Sequence, residues 1–168
     1  INVYSIQESN GLTKEDLEYF ANGDEELKKD VEYLVEVFND AKEYGSILEV
    51  EEVNFKKIEK RLTEIEDNIG DLFSKDSIER ILYILPKLLN QGKVFNNKYN
   101  ILITNPPYMG IGNMNENVNT FISKNYPNSK SDLFAVFIEK MNRIVKLSGK
   151  ISMITQHTWM NSKTYQNL

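Results

Sequence analysis

The chain has 168 residues, 40% of them hydrophobic and 27% charged, with a net charge of −5 at pH 7; that is enough for one globular domain with a real core. It has no cysteine, which excludes disulfides and thiolate metal sites and permits a reducing, cytoplasmic location. No apolar run is long enough to span a bilayer and no signal-peptide pattern opens the chain, so no membrane partner is expected.

Charge is unevenly spread. Residues 1–70 carry 19 acidic side chains against 8 basic, whereas residues 71–168 carry 6 against 12. The basic half suits a polyanionic partner, although twelve scattered cations also serve solubility alone. The chain opens on Ile1 and is expected to be a piece of a longer protein.

Residues 1–12 read as strand and loop: Asn2 to Ile6 alternates polar and apolar residues and predicts a short strand, closed by the turn signals Gln7 to Gly11. Residues 13–94 read as a mainly helical insertion. Leu27, Val31, Leu34, Val35 and Phe38 share one face of a helix opened by Gly23-Asp24. Gly45-Ser46 breaks it, and Ile47 to Val50 forms an extended link. Phe55, Ile58, Leu62 and Ile65 mark a second amphipathic helix ending near Gly70. A third begins about Lys75, with Ile78, Ile81, Leu82, Leu85, Leu88 and Leu89 apolar; Pro86 should kink or restart it, and Gly92 reads as its C-terminal cap.

Residues 95–168 are expected to hold the catalytic segment. Tyr99 to Thr104 predicts a strand buried on both faces, as in a parallel sheet. A loop rich in glycine and asparagine follows, from Met109 to Asn119. Ser131-Asp132 offers an N-cap to a helix whose apolar face is Leu133, Phe134, Phe137, Met141, Ile144 and Val145, ending at Ser148-Gly149. Lys150 to Thr155 is the second strand. Strand, helix, strand is a βαβ unit with a right-handed crossover, so the fold class is α/β with a helical insertion.

At the end of the first of these strands stands Asn105-Pro106-Pro107-Tyr108. Ligands of open α/β sheets bind beyond the carboxyl ends of the strands, which is where this tetrapeptide falls. Two consecutive prolines fix φ and carry no N–H, and Pro106 steers Asn105 away from the helical region. The result is a stiff pair of acceptors, the Asn105 side-chain oxygen and the Pro106 carbonyl, beside the flat ring of Tyr108. An exocyclic amine on a planar base matches that set: its two N–H bonds meet two acceptors while the base stacks on the ring, worth roughly 1–3 kcal/mol. Acceptors aimed at charge developing on nitrogen are electrostatic preorganisation, and a base taken from a duplex must flip out to reach them.

The tetrapeptide resembles the catalytic motif of the S-adenosylmethionine-dependent amino-methyltransferases, above all the adenine-N6 DNA methyltransferases. With proline near 5% of residues it arises by chance in about one chain of this length per few thousand. The wider text Asn105 to Gly110, Lys130 to Phe134 and Gly149 to Met160 looks like the PglX-type adenine-specific enzymes of BREX phage defence, relatives of the single-chain type II restriction–methylation enzymes. The match is dense over residues 99–160 and looser over 1–50.

That resemblance implies a Rossmann-like methyltransferase fold with S-adenosylmethionine as cofactor and a flipped adenine of double-stranded DNA as substrate. Asn105, Pro106, Pro107 and Tyr108 would be catalytic. Glu8 would lie near the adenosine of the cofactor, and Gly110, Lys124 and Lys130 are candidate DNA contacts. The glycine-rich loop of the family is expected upstream of Ile1, since Gly110-Ile111-Gly112 follows the catalytic motif and lacks a third glycine; residues 1–168 alone are expected to bind the cofactor poorly and to be inactive. Other defence-system proteins are candidate partners. A rival chemistry is protein-glutamine N5 methylation, whose side-chain amide presents the same two N–H bonds. A non-catalytic alternative makes residues 13–94 an interaction module. No metal is expected, for nothing has zinc spacing; Asp132 reads first as a helix cap, with a site role secondary, His157 reads as a structural histidine ahead of a place by the catalytic loop, and Trp159 and Tyr165 read as packing residues.

Overall fold

The computed structural model describes residues 3–68, 75–166 and 168. The chain divides into two compact units, Ile1–Asn96 and Asn97–Leu168.

The first unit is helical. Its helices are α1 (Lys14–Ala21), α2 (Glu25–Val37), the single turn α3 (Ala41–Tyr44), α4 (Phe55–Asp67) and α5 (Lys75–Asn96), with a 3-10 turn at Gly45–Ile47. Helices α1, α2 and α4 pack on α5, because each offers one apolar stripe. Phe20, Leu27, Val31, Leu34, Phe38, Ile58, Leu62, Ile81, Leu85 and Leu88 are all buried, and most of them were the residues of the expected helical faces. Asp24 caps α2 as expected, its side chain accepting from the Leu27 N–H. The first long helix ends at Val37 with Phe38 as its C-cap, before Gly45, and Asp40 takes a left-handed φ of 51°.

Several expectations change here. No strand forms over residues 3–6; the backbone at Gln7 is met by a side chain. The Gln7 N–H donates to Gln91 Oε1 at 2.9 Å and Gln91 Nε2 donates to the Gln7 carbonyl at 2.8 Å, so one buried amide performs the pairing that a neighbouring strand would supply. Helix α5 runs unbroken through Pro86. Gly92 is no C-cap but an interior helical residue: a Cβ there would lie 3.1 Å from Phe55 Cε1 and 3.3 Å from Leu34 Cδ2, so glycine lets α2 and α4 approach α5. The expected helix end at Gly70, like Asn2 of the expected strand, lies outside the described residues.

Asp16 ties the start of α1 to α5. Its carboxylate completes a capping box with Thr13 and accepts two bonds from Arg80, at 2.7 and 2.8 Å, while its side chain is fully buried. Burial pushes this carboxyl up, but the Arg80 guanidinium, the Thr13 N–H and the Ser77 hydroxyl outweigh it and hold it well below the usual carboxylate range.

The second unit holds the expected pair of parallel strands, β1 (Tyr99–Thr104) and β2 (Val145–Met153), joined through α6 (Glu116–Asn125) and α7 (Leu133–Ile144). The register sets Ile101 opposite Lys150, Leu102 opposite Ile151, Ile103 opposite Ser152 and Thr104 opposite Met153. Between Tyr99–Val145 and Ile101–Lys150 the ladder shifts, because β2 carries extra residues there. Gly149 leaves no room for a side chain: a Cβ would fall 2.5 Å from Val145 Cγ2, 2.9 Å from the Asn100 carbonyl oxygen and 3.0 Å from that of Tyr99. It is thus a strand residue, and α7 ends at Ile144 rather than at Ser148-Gly149. Strand β1 is not buried on both faces: Ile101 and Ile103 are 67% and 79% exposed, while Leu102 and Thr104 are half-buried.

Helix α6 replaces the second half of the expected loop. Asn115 caps it at the Val118 N–H, and Val118 and Ile122 are buried. Its end is joined to α7 by Arg143, which donates to the Asn125 carbonyl at 3.0 Å, pairs with Glu139 and lies 4.6 Å over the Tyr126 ring. Ser129, fully buried, donates to Glu139 at 2.6 Å. Among the described residues no helix is long and apolar enough to cross a membrane.

Replacing Asp16 by Asn in the intact protein leaves Arg80 without its charge partner, and faster amide exchange over α1 and α5 than in the wild type is the expected result. A folded pKa depressed below the unfolded value stabilises fully above the unfolded pKa and loses its effect as pH falls. The difference between wild type and variant should therefore be widest near neutrality and narrow below about pH 4; a difference independent of pH would contradict the assignment.

Candidate active site

Asn105 follows directly on Thr104, the last residue of β1, and the ladder reaches this point: Thr104 stands opposite Met153, and the Ile154 N–H donates to the Thr104 carbonyl at 3.4 Å. The chain then leaves the sheet through the two prolines. Asn105 and Pro107 are exposed and Pro106 is buried, so the corner is seated on one proline and presents the amide outward. Among the described residues no hydrogen bond occupies the Asn105 side chain.

Tyr108 is 47% exposed yet held at both its hydroxyl and its ring. The hydroxyl donates to the Ile154 carbonyl at 2.9 Å, just beyond the end of β2. The ring meets Phe134, in the first turn of α7, edge to face, with centroids 6.1 Å apart and planes at 82°. Phe134 in turn packs on Tyr165 at 5.9 Å. Burial pushes the Tyr165 phenol up, and the negative charge of Asp132 adds to the rise, so this phenol stays neutral at neutral pH.

After Tyr108 the backbone is joined to the start of α7. The Met109 N–H donates to Asp132 Oδ1 at 3.1 Å, and the Leu133 N–H returns a bond to the Met109 carbonyl at 2.9 Å. Gly110 and Asp132 form an isolated antiparallel bridge, and the Ile111 N–H donates to the Ser131 carbonyl at 3.1 Å. The same Oδ1 caps α7 by accepting from the Phe134 N–H at 3.2 Å. The expected cap is therefore present, and the same oxygen has a second task, the bond to Met109.

The other expected residues fall as follows. Gly110 stands beside the corner with φ of −67°, and a Cβ there would find only ordinary contacts at 3.8 Å and beyond, so no conformational need for glycine is visible. Lys130 is exposed two residues before Asp132, in the segment that pairs with Gly110. Lys124 is exposed in the last turn of α6, where a cation suits the helix dipole. Glu8 belongs to the helical unit, where its carboxylate accepts from the Lys42 N–H at 3.3 Å and from Lys42 Nζ at 3.0 Å. His157 is exposed in the 3-10 turn His157–Met160, and Trp159 donates to Thr155 Oγ1 at 3.3 Å. Among the described residues no group of three His, Cys, Asp or Glu side chains has metal-binding geometry.

Comparison with known proteins identifies the family. The model of the Eco57I restriction-modification methylase matches residues 7–168. The chain belongs to that family. Over 133 residues it is 39% identical to the adenine-specific methyltransferase PglX of Lacticaseibacillus casei (strain Zhang), a match covering 78% of this chain and 11% of the relative. Over 151 residues it is 29% identical to the adenine-specific methyltransferase BrxX of Escherichia coli O9:H4 (strain HS), covering 88% of this chain and 12% of the relative. The chain thus spans about a tenth of the length of the curated relatives it matches. The resemblance carried by Asn105 to Gly110, Lys130 to Phe134 and Gly149 to Met160 is borne out by the Eco57I family match and by the similarity to the PglX and BrxX adenine-specific methyltransferases.

Because Tyr108 is fixed through both ring and hydroxyl, its two truncations should differ. In the intact protein, Tyr108→Phe loses the bond to Ile154, about 1 kcal/mol and so roughly fivefold faster amide exchange at Met109 and Ile111, whose N–H groups are bonded to Asp132 and Ser131. Tyr108→Ala also loses the edge contact with Phe134, about 0.5–1.5 kcal/mol more, and should exchange faster still. Equal exchange in Tyr108→Ala and wild type would show that the ring does not hold this loop.

Proposed function

We propose that the chain carries the catalytic corner of an adenine-N6 DNA methyltransferase acting in restriction–modification or phage defence, within a Rossmann-like sheet interrupted by the helical unit. The observation that carries this proposal is the state of the corner: a solvent-facing Asn105 amide with no partner among the described residues, beside a half-exposed Tyr108 ring held in place from below. The naming of both curated relatives as adenine-specific methyltransferases favours adenine over the glutamine side chain, which presents the same two N–H bonds.

The proposed methyl source is S-adenosylmethionine, which supplies an electrophilic methyl group when bound. The described residues hold no glycine-rich cradle for it. Gly110 is engaged in the bridge to Asp132, and Ile111–Asn113 is a 3-10 turn, so the pair Gly110 and Gly112 does not fit that group. A cofactor contact by Glu8 would be made beside its bonds from the Lys42 N–H and Nζ.

What the chain's own residues would do is bind and aim an amine. Asn105 Oδ1 and the Pro106 carbonyl accept one N–H bond each from the adenine amino group. Both bonds favour a tetrahedral nitrogen whose lone pair is no longer shared with the ring, which raises its nucleophilicity before any proton leaves. Tyr108 gives the flipped base a face to stack on. Pro106 and Pro107 keep the acceptors from relaxing toward each other, since neither residue can change φ. Gly110, Lys124 and Lys130 would lie along the DNA, and the helical unit would meet other defence proteins.

In the full-length enzyme Asn105→Ala should lower methylation of duplex DNA about a hundredfold or more, the usual cost of losing one preorganised group at a developing charge, while cofactor affinity stays within a factor of a few. Methylation at the wild-type rate would refute the proposed role of the corner.

A further inference from the structure

We infer that Asp132 is a positioning residue for the Asn105–Tyr108 corner: its Oδ1 both caps α7 and anchors Met109, so that the start of the helix sets the aim of the two acceptors. The inference rests on the function proposed above and adds to it a residue outside the tetrapeptide.

The corner spans four residues between two fixed points. At its near end Thr104 is held in the parallel ladder opposite Met153. At its far end Met109 is held by two hydrogen bonds of opposite direction, its N–H to Asp132 Oδ1 and its carbonyl from the Leu133 N–H. Between these points Pro106 and Pro107 remove two φ rotations, so displacement of Met109 is not absorbed within the corner and reappears at Asn105. Tyr108 cannot buffer it either, because its hydroxyl is bonded to Ile154 and its ring rests on Phe134. Phe134 is also the residue whose N–H the same Oδ1 accepts. One oxygen therefore fixes both the backbone that follows Tyr108 and the helical turn on which the Tyr108 ring leans.

A plain helix cap would need only the second of these bonds. The bond to Met109, the Gly110–Asp132 bridge and the Ile111 bond to Ser131 show the loop following the cap for three residues. A positioned acceptor acts on the transition state more than on binding, so loss of the anchor should appear in kcat.

The test uses the full-length enzyme on duplex DNA with two substitutions. Asp132→Asn keeps an oxygen at the same reach, preserves both bonds and should retain activity within about threefold. Asp132→Ser keeps a preferred N-cap, but its hydroxyl is one bond closer to the backbone and serves the Phe134 N–H without reaching Met109. It should melt with the wild type, exchange the Met109 amide faster, and lose about tenfold or more in kcat, as a catalytic group moved out of line does, with little change in KM for DNA. Asp132→Ser at the wild-type rate, in an enzyme that Asn105→Ala inactivates, would reduce Asp132 to a helix cap and overturn the inference while leaving the proposed function standing. Loss of kcat by Asp132→Asn with melting unchanged would overturn it as well, since charge rather than reach would then matter. An active Asn105→Ala enzyme would instead overturn the function on which the inference rests.

Discussion

A rigid span needs fixed ends, and the stretch from Asn105 to Tyr108 has both. Behind it, the pairing of Thr104 with Met153 ties the corner to a parallel ladder whose close approach depends on Gly149. Ahead of it, the Asp132 carboxylate ties Met109 to the first turn of α7. The prolines in between have little freedom to redistribute strain. The second unit can therefore be described as a frame around this corner: α6 and the Arg143–Glu139–Tyr126 cluster hold α7 in place, α7 holds Phe134 and Asp132, and these hold Tyr108 and Met109. An exposed polar amide on so constrained a backbone serves recognition better than packing, because little conformational entropy is left to lose when it meets a ligand.

The helical unit uses the same device for a different end. There too a single aspartate joins a capping interaction to a distant partner, Asp16 linking Thr13 at the start of α1 to Arg80 on α5. In that case the partner is a charge and the carboxylate is fully buried, so the link serves cohesion of the helices and responds to acid. At Asp132 the partner is a backbone N–H beside a half-exposed ring, and the link serves aim.

What could be read from the residues depended on the range of the interaction. Local signals survived: the Asp24 and Asp132 caps, the apolar stripes of α2, α4 and α5, and the strand that stops at Thr104 were all legible from spacing. The tetrapeptide was legible because two prolines and an aromatic leave few backbone options. The failures share a cause, which is that the deciding partner is distant in sequence. A strand was expected at Asn2 to Ile6, but residues 3–6 form none, and the backbone that follows, at Gln7, is held by Gln91, 84 residues away. Gly92 looked like a helix end, yet its role is set by Phe55 and Leu34 on other helices. Alternation in β1 could not reveal that Ile101 and Ile103 face open space in this chain. Helix α6 was missed although its Asn115 cap and its Val118 and Ile122 pair had the right spacing, because the surrounding glycines and asparagines outweighed them. The second task of Asp132 lay in the same gap: its cap was local and legible, and its reach to Met109 across 23 residues was not.

The central claim is that the corner after β1 presents two oxygens to one amine and a tyrosine face to its ring. The most direct measurement is a crystal structure of the full-length enzyme with duplex DNA containing its target adenine and an unreactive analogue of the methyl donor. The account predicts the adenine outside the helix, its amino nitrogen about 3 Å from both Asn105 Oδ1 and the Pro106 carbonyl, and its ring stacked on Tyr108 with the Tyr108–Ile154 bond intact. An adenine amino group bound by other residues, with Asn105 turned away from it, would contradict the account.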